Sequence, residues 1–77
     1  VYLMQLSKNS QILLKAMFKH SSNEFTPADI KKLNMSFADA LNAAIELESH
    51  NLIFTEGSSP EIYFYMLPDG FYLAYTL

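Results

Sequence analysis

The chain has 77 residues, of which 51% are hydrophobic and 17% charged, and it has no cysteine. This size and composition predict one globular domain with its own core rather than a disordered segment. The lack of cysteine excludes a disulfide scaffold, a cysteine-based zinc site and a thiol nucleophile. We expect residues 1–77 to form a single domain. The start at Val1 and the apolar end at Leu77 suggest a fragment trimmed at one or both ends.

The charge is unevenly distributed along the chain. All five basic residues are lysines at or before Lys32, where two acids leave a net charge of +3, whereas the residues from Leu33 onward carry six acids and no base. Proteins that bind duplex DNA gain most of their affinity from Lys and Arg against phosphate, so this distribution argues against strong general DNA affinity. The sequence shows neither a signal peptide nor an apolar run of about 18 residues. We therefore expect a cytoplasmic protein without a membrane partner.

The first predicted helix spans residues 7–20, with Ser7 or Ser10 as its N-cap. Apolar residues recur at steps of three and four and predict one buried face. That face comprises Leu6, Ser10, Leu13, Leu14, Met17 and Phe18. The three lysines of this segment, Lys8, Lys15 and Lys19, fall on the opposite side.

A second, short helix is predicted from Pro27 to Leu33. Thr26 is a good N-cap, Pro27 suits the first helical position, and Asp29 completes a Thr-x-x-Asp variant of the capping box. Phe25 and Ile30 have the spacing of a hydrophobic staple.

The third predicted helix repeats this start signal, with Ser36 as cap and Asp39 three residues later, and runs from Phe37 to about His50. Asn51 is suited to the left-handed exit position. Two capped helices joined by the Asn34-Met35 turn predict a helix-turn-helix. We expect a buried stripe of Phe37, Ala40, Leu41, Ala44, Ile45 and Leu47. The outward positions are Ser36, Asp39, Asn42, Ala43, Glu46 and Ser49.

Two strands and a tail follow. Residues 52–55 and 62–66 predict a hairpin around the loop 56–60, with Ile62, Phe64 and Met66 on one face and Tyr63 and Tyr65 on the other. Pro68-Asp69-Gly70 either turns the chain into a third strand or opens a final helix over residues 71–77. We favour the helix.

This order of elements resembles the winged-helix-turn-helix superfamily. The segment Leu41–Ile53 is similar to the third helix of that family, with Asn51 where glycine is usual, and LPDGFYLA is similar to the helix start after the wing in bacterial regulators. The layout is closest to small acidic bacterial and phage proteins, including the family called YjcQ-like. The resemblance implies a mainly α fold with a small β-hairpin: a three-helix core, a wing and a C-terminal helix. It also implies a DNA-binding transcriptional regulator, dimeric through its terminal helices.

Candidate DNA contacts follow from the expected helix-turn-helix. Asn42 can bind adenine, and Ser36 and Ser49 can reach bases or phosphate, whereas Asp39 and Glu46 on the same face would repel phosphate. The remaining candidates are Lys31 and Lys32 for phosphate and Ser58 and Ser59 at the wing tip, between Glu56 and Glu61. The alternative is a solvated polar face with ordinary solubilising lysines.

Aromatic residues concentrate near the C-terminus. Tyrosine is favoured at interfaces because it combines an apolar body with a polar tip. We therefore expect a partner surface, most simply of a homodimer, formed by Tyr63, Tyr65, Tyr72, Leu73 and Tyr75. The alternative is packing of the tail on the chain's own core.

Two hypotheses on function remain. The first is a dimeric winged-helix regulator bound to double-stranded DNA. The second is a winged-helix module that binds protein through its acidic third helix and aromatic surface. We expect that the chain is not an enzyme and that it binds no cofactor or metal. We expect no catalytic residue, since His20 and His50 are single residues at helix ends.

Overall fold

The structure is a computed structural model and describes residues 5–20 and 22–77. In these residues the chain forms four helices and a three-stranded antiparallel sheet, which confirms the predicted α+β class. No helix in this part of the chain is long and apolar enough to cross a membrane. The elements in chain order are α1 (Lys8–Lys19), β1 (Glu24–Phe25), α2 (Pro27–Lys31), α3 (Phe37–Ser49), β2 (Ile53–Ser58), β3 (Glu61–Met66) and α4 (Pro68–Thr76).

The helices begin where their capping residues predict. Ser7 caps α1 by accepting from the Ser10 amide, and Thr26 and Asp29 form a complete capping box at α2. Ser36 accepts from the Asp39 amide at the start of α3, but only this half of the predicted second box is formed. Helix α2 ends at Lys31, two residues earlier than predicted.

Helix α3 is rotated relative to the predicted stripe. Its buried residues are Ala40, Ala43, Ala44 and Leu47, a spacing of i, i+3, i+4 and i+7 that marks one helix face. Ile45 was expected inside but is 65% exposed, and Ala43 was expected outside but is 3% exposed. The small alanines define the contact face here, so the larger Ile45 lies beyond its edge.

The sheet contains one strand that the sequence pattern did not reveal. Strand order is β1-β3-β2, and β1 pairs Glu24 with Tyr65 and Phe25 with Phe64. Phe64 is fully buried on the inner face, and Ile62 and Met66 share that face as predicted. The hairpin is tighter than the predicted five-residue loop, because β2 extends to Ser58 and β3 begins at Glu61.

Residues 71–76 belong to a helix, as favoured from the sequence, and Leu77 is its C-cap. Asn51 ends α3 with a φ of 61°, and this turn places Leu52 where its carbonyl accepts from the Leu67 amide at 3.0 Å. Helix α4 then packs so closely that a Cβ on Gly70 would overlap the Leu52 carbonyl and the Met66 sulfur. Its other neighbour is α1, where Phe18, predicted to be buried, is 37% exposed and meets Phe71 at a centroid distance of 6.3 Å.

Candidate nucleic-acid interface

The outermost strip of α3 is almost free of charge. Asn42, Ile45 and Ser49 lie opposite the buried alanine face and are exposed to solvent. Asp39 is exposed at the edge of this strip, and the Ser36 hydroxyl is already an acceptor for the Asp39 amide at 3.0 Å. The Asn42 amide can therefore contact another molecule. The Ser49 hydroxyl donates to the Glu46 carbonyl at 2.6 Å, so it can still accept a hydrogen bond, whereas Ser36 serves mainly to start the helix.

Glu46 does not extend the acidic face, which corrects the sequence-based expectation. Its Oε1 accepts from the Ser7 hydroxyl at 2.9 Å, from the Ser7 amide at 3.2 Å and from the Ser10 hydroxyl. These bonds, that of Ser10 first, lower the pKa of Glu46. The carboxylate thus joins the start of α1 to α3.

Ser10 carried a signal for this contact. It lies in the apolar stripe of α1 and is completely buried, and a buried hydroxyl needs a hydrogen-bond partner. Its oxygen lies 3.3 Å from the Ala43 carbonyl as well as beside Glu46. A serine at a core position thus indicated a polar contact between helices, although not which residue would make it.

Glu48 is also held within the protein. Its carboxylate accepts from the Thr55 amide at 3.2 Å and from the Thr55 hydroxyl at 3.3 Å. This contact joins the last turn of α3 to strand β2. Of the three acids in α3, only Asp39 has a carboxylate directed to solvent without such a bond in the described residues.

The lysines are available to bind anions. Lys31 and Lys32 are exposed at the end of α2, and Lys8, Lys15 and Lys19 are exposed on α1. Across residues 5–20 and 22–77, the ion pair present is that of His20 with Asp29, so no lysine there has a carboxylate within bonding distance.

Lys31 lies beside the hairpin tip. It lines a groove with Pro27, Ile30, Met35, Phe37 and Pro60, so the end of the hairpin faces the turn between α2 and α3. Ser58 and Ser59 are exposed next to Pro60, and Glu56 and Glu61 are exposed on either side. The tip therefore offers hydroxyl groups flanked by acids.

His20 and Asp29 join the end of α1 to the start of α2. His20 Nε2 lies 3.1 Å from Asp29 Oδ2, and the same oxygen accepts from the Thr26 amide at 2.9 Å. The Thr26 amide is the main cause that lowers the pKa of Asp29, and the Ser22 carbonyl, followed by Asp29, raises the pKa of His20. Asp29 is thus fixed by contacts from two helices.

The predicted interface tyrosines lie on two separate surfaces. Tyr65 is on the outer sheet face, stacked on Phe54 at 4.8 Å, and its hydroxyl donates to Glu24 at 2.8 Å. That bond raises the pKa of Tyr65 to about 12. Tyr63 shares this face, whereas Tyr72 and Tyr75 are 82% and 80% exposed on α4 and Leu73 packs against the core.

Neither a metal site nor a relative identifies the chain. In the part of the chain that the structure describes, no three His, Asp or Glu side chains are grouped closely enough to hold a metal ion. The chain matches no protein-family model, and searches of curated proteins and of solved structures likewise find no match.

Proposed function

We propose that the chain is a winged-helix protein that binds double-stranded DNA as a transcriptional regulator. In this proposal α2 and α3 form the helix-turn-helix, and the β2–β3 hairpin is the wing. Helix α3 would enter the major groove with Asn42 and Ser49 towards the bases, and Lys31 and Lys32 would contact phosphate. Ser58 and Ser59 would approach the backbone from the wing.

One observation carries the proposal. Glu46 and Glu48 are hydrogen-bonded to Ser7, Ser10 and Thr55, so the outer strip of α3 is uncharged apart from Asp39 at its edge. The carboxylates of Glu46 and Glu48 keep their charge, but these bonds hold them at the sides of the strip, so that Asp39 is the acid of α3 without such a bond in the described residues. The amide of Asn42 matches adenine, and the apolar Ile45 next to it suits a thymine methyl group.

The expected affinity is low and dependent on salt. Two lysines neutralise about two phosphates, which corresponds to a slope of roughly −1.8 for the logarithm of the binding constant against that of salt. Such a footprint needs more than one copy of the chain to hold a DNA site firmly.

The test is a fluorescence-anisotropy titration of a labelled mixed-sequence duplex at about 50 mM and about 200 mM salt. Lys31→Gln with Lys32→Gln should weaken binding and reduce the salt slope by about two. The matched control, Lys8→Gln with Lys15→Gln, removes the same charge from α1 and should leave the slope unchanged. Undetectable binding at the lower salt would contradict the proposal.

A second experiment uses the remaining exposed acid of α3. Asp39→Asn removes a negative charge at the edge of the strip, so it should tighten duplex binding. Asp69→Asn is the control for total charge because Asp69 is exposed on α4, outside the proposed helix-turn-helix and wing. Equal effects of the two variants would mean that α3 does not face the DNA.

A second candidate function is a protein-binding module of the same fold. The observation that favours it is Ile45, which is 65% exposed at the centre of the α3 strip. An exposed apolar residue on a helix suits a groove in a protein partner as well as a thymine methyl group. If duplex binding is detected neither in the salt titrations nor with Asp39→Asn, this second candidate is favoured.

A further inference from the structure

The outer face of the sheet is acidic and aromatic. Side chains alternate across a strand, so the register places one set of residues opposite the core-facing Phe64. The set contains three glutamates and no base. Its members, here called the acidic sheet face, are Glu24, Phe54, Glu56, Glu61, Tyr63 and Tyr65.

The surface formed by α1 and α4 is net basic, with Lys15 and Lys19 on α1 and one acid, Asp69, in the first turn of α4. On α1, Lys15 lies one helical turn before Phe18 and Lys19 directly follows it, and both lysines are exposed. Phe18 contacts Phe71 and Tyr75 of α4 at centroid distances of 6.3 and 6.5 Å. Tyr72, next to Phe71, is 82% exposed. We call these six residues, Lys15, Phe18, Lys19, Phe71, Tyr72 and Tyr75, the basic helix face.

Each face has what the other lacks. Exposed aromatic clusters of this kind mark interaction sites, and charges of opposite sign set which surfaces meet. Two basic helix faces brought together would oppose lysine to lysine, and two acidic sheet faces would oppose glutamate to glutamate. A two-fold dimer through either face is therefore disfavoured by charge.

We propose that copies of this chain associate head to tail, with the basic helix face of one copy on the acidic sheet face of the next. Lysines of one copy meet glutamates of the other, and the tyrosines of α4 cover the Phe54–Tyr65 pair. This contact is heterologous, so a pair of copies keeps one free basic helix face and one free acidic sheet face, and further copies can add. The proposal does not depend on DNA binding.

The test uses two variants, each of which inactivates one face. Tyr72→Ser with Tyr75→Ser removes two exposed side chains of the basic helix face. Glu56→Lys with Glu61→Lys reverses two exposed charges of the acidic sheet face. Circular dichroism establishes that both variants remain folded. Lys15→Gln with Lys19→Gln is a milder alternative for the first face.

Sedimentation velocity from low micromolar to near-millimolar concentration gives the readout. The wild type should form species that grow beyond two chains, and each variant alone should dissociate at least about tenfold more readily. An equimolar mixture of the two variants should form a 1:1 species and stop there, because one intact face of each kind remains. Higher salt should weaken the wild-type contact.

Three results would overturn the proposal. The first is a wild type that remains monomeric throughout at low salt. The second is a wild type that stops at two chains and still does so with Glu56→Lys and Glu61→Lys, which indicates a two-fold dimer. The third is a mixture of variants that sediments as the separate variants do.

Discussion

Helices α2 and α3 begin with the same sequence pattern but use it differently. At α2, Thr26 accepts from the Asp29 amide and Asp29 accepts from the Thr26 amide. At α3, Ser36 accepts from the Asp39 amide, and the Asp39 carboxylate is exposed. The difference has a tertiary cause, because His20 at the end of α1 lies beside Asp29 and helps to fix that carboxylate. A local capping pattern therefore specifies where a helix starts, whereas its neighbours decide how much of the pattern is used.

The largest expected difference in stability between the two helix starts comes from replacing the acid of each. Asp29→Ala should lower the free energy of unfolding by about 1–2 kcal/mol, since it removes an acceptor for Thr26 and the partner of His20. Asp39→Ala should change the free energy of unfolding by no more than about 0.5 kcal/mol, as is usual for an exposed surface residue. Urea denaturation of both variants measures the difference. Equal losses would show that the two helix starts are equivalent.

Replacing the two N-cap residues should give losses of stability that differ less. Thr26→Ala and Ser36→Ala each remove an acceptor for the third amide of a helix, which costs about 1 kcal/mol. The loss for Thr26 should be the larger, because its hydroxyl also donates to Asp29 at 2.9 Å. The same urea measurements give both values. If Ser36→Ala left stability unchanged, α3 would not depend on its cap.

The smallest expected effect is a dependence of protein stability on pH, caused by His20 and Asp29 at the start of α2. The lowered pKa of Asp29 gives stability that is present above about pH 4 and lost as the pH falls through the folded value. The raised pKa of His20 gives stability that is fully present below about pH 6.5 and lost as the pH rises through the folded value. The pair should therefore stabilise the protein most between these two limits.

His20→Gln tests this dependence. Its loss of stability relative to the wild type should be greater at about pH 5.5 than at about pH 8.5, in urea denaturation at both values. Asp39→Ala is the matched control, since no histidine or lysine pairs with Asp39 in the part of the chain that the structure describes. The His20 ring also packs edge-on against Phe25, at a centroid distance of 5.2 Å. A constant deficit for His20→Gln would show that the ring acts by this packing alone.

Features encoded within a few residues could be predicted from the sequence. Thr26, Pro27 and Ser36 place two helix starts, Asn51 gives the left-handed exit, and the alternation of residues 62–66 gives the inner face of β3. These signals depend on backbone preferences and local hydrogen bonds, which act independently of the rest of the chain.

Contacts between distant residues could not be predicted in the same way. Strand β1 has only two residues and exists because Glu24 and Phe25 meet Tyr65 and Phe64 about 40 positions later. Glu46 appeared to face solvent because no local rule connects it to Ser7 and Ser10. Ile45 appeared buried because hydrophobicity alone does not show that alanines set the distance between α1 and α3.

The alanine face of α3 has a consequence for how this protein can change. Packing depends on Ala40, Ala43, Ala44 and Leu47, and the helix start depends on Ser36. Asn42, Ile45 and Ser49 contribute to neither, so substitutions there can accumulate with little loss of stability. The strip is thus a surface on which new binding preferences can arise by mutation while the fold stays constant.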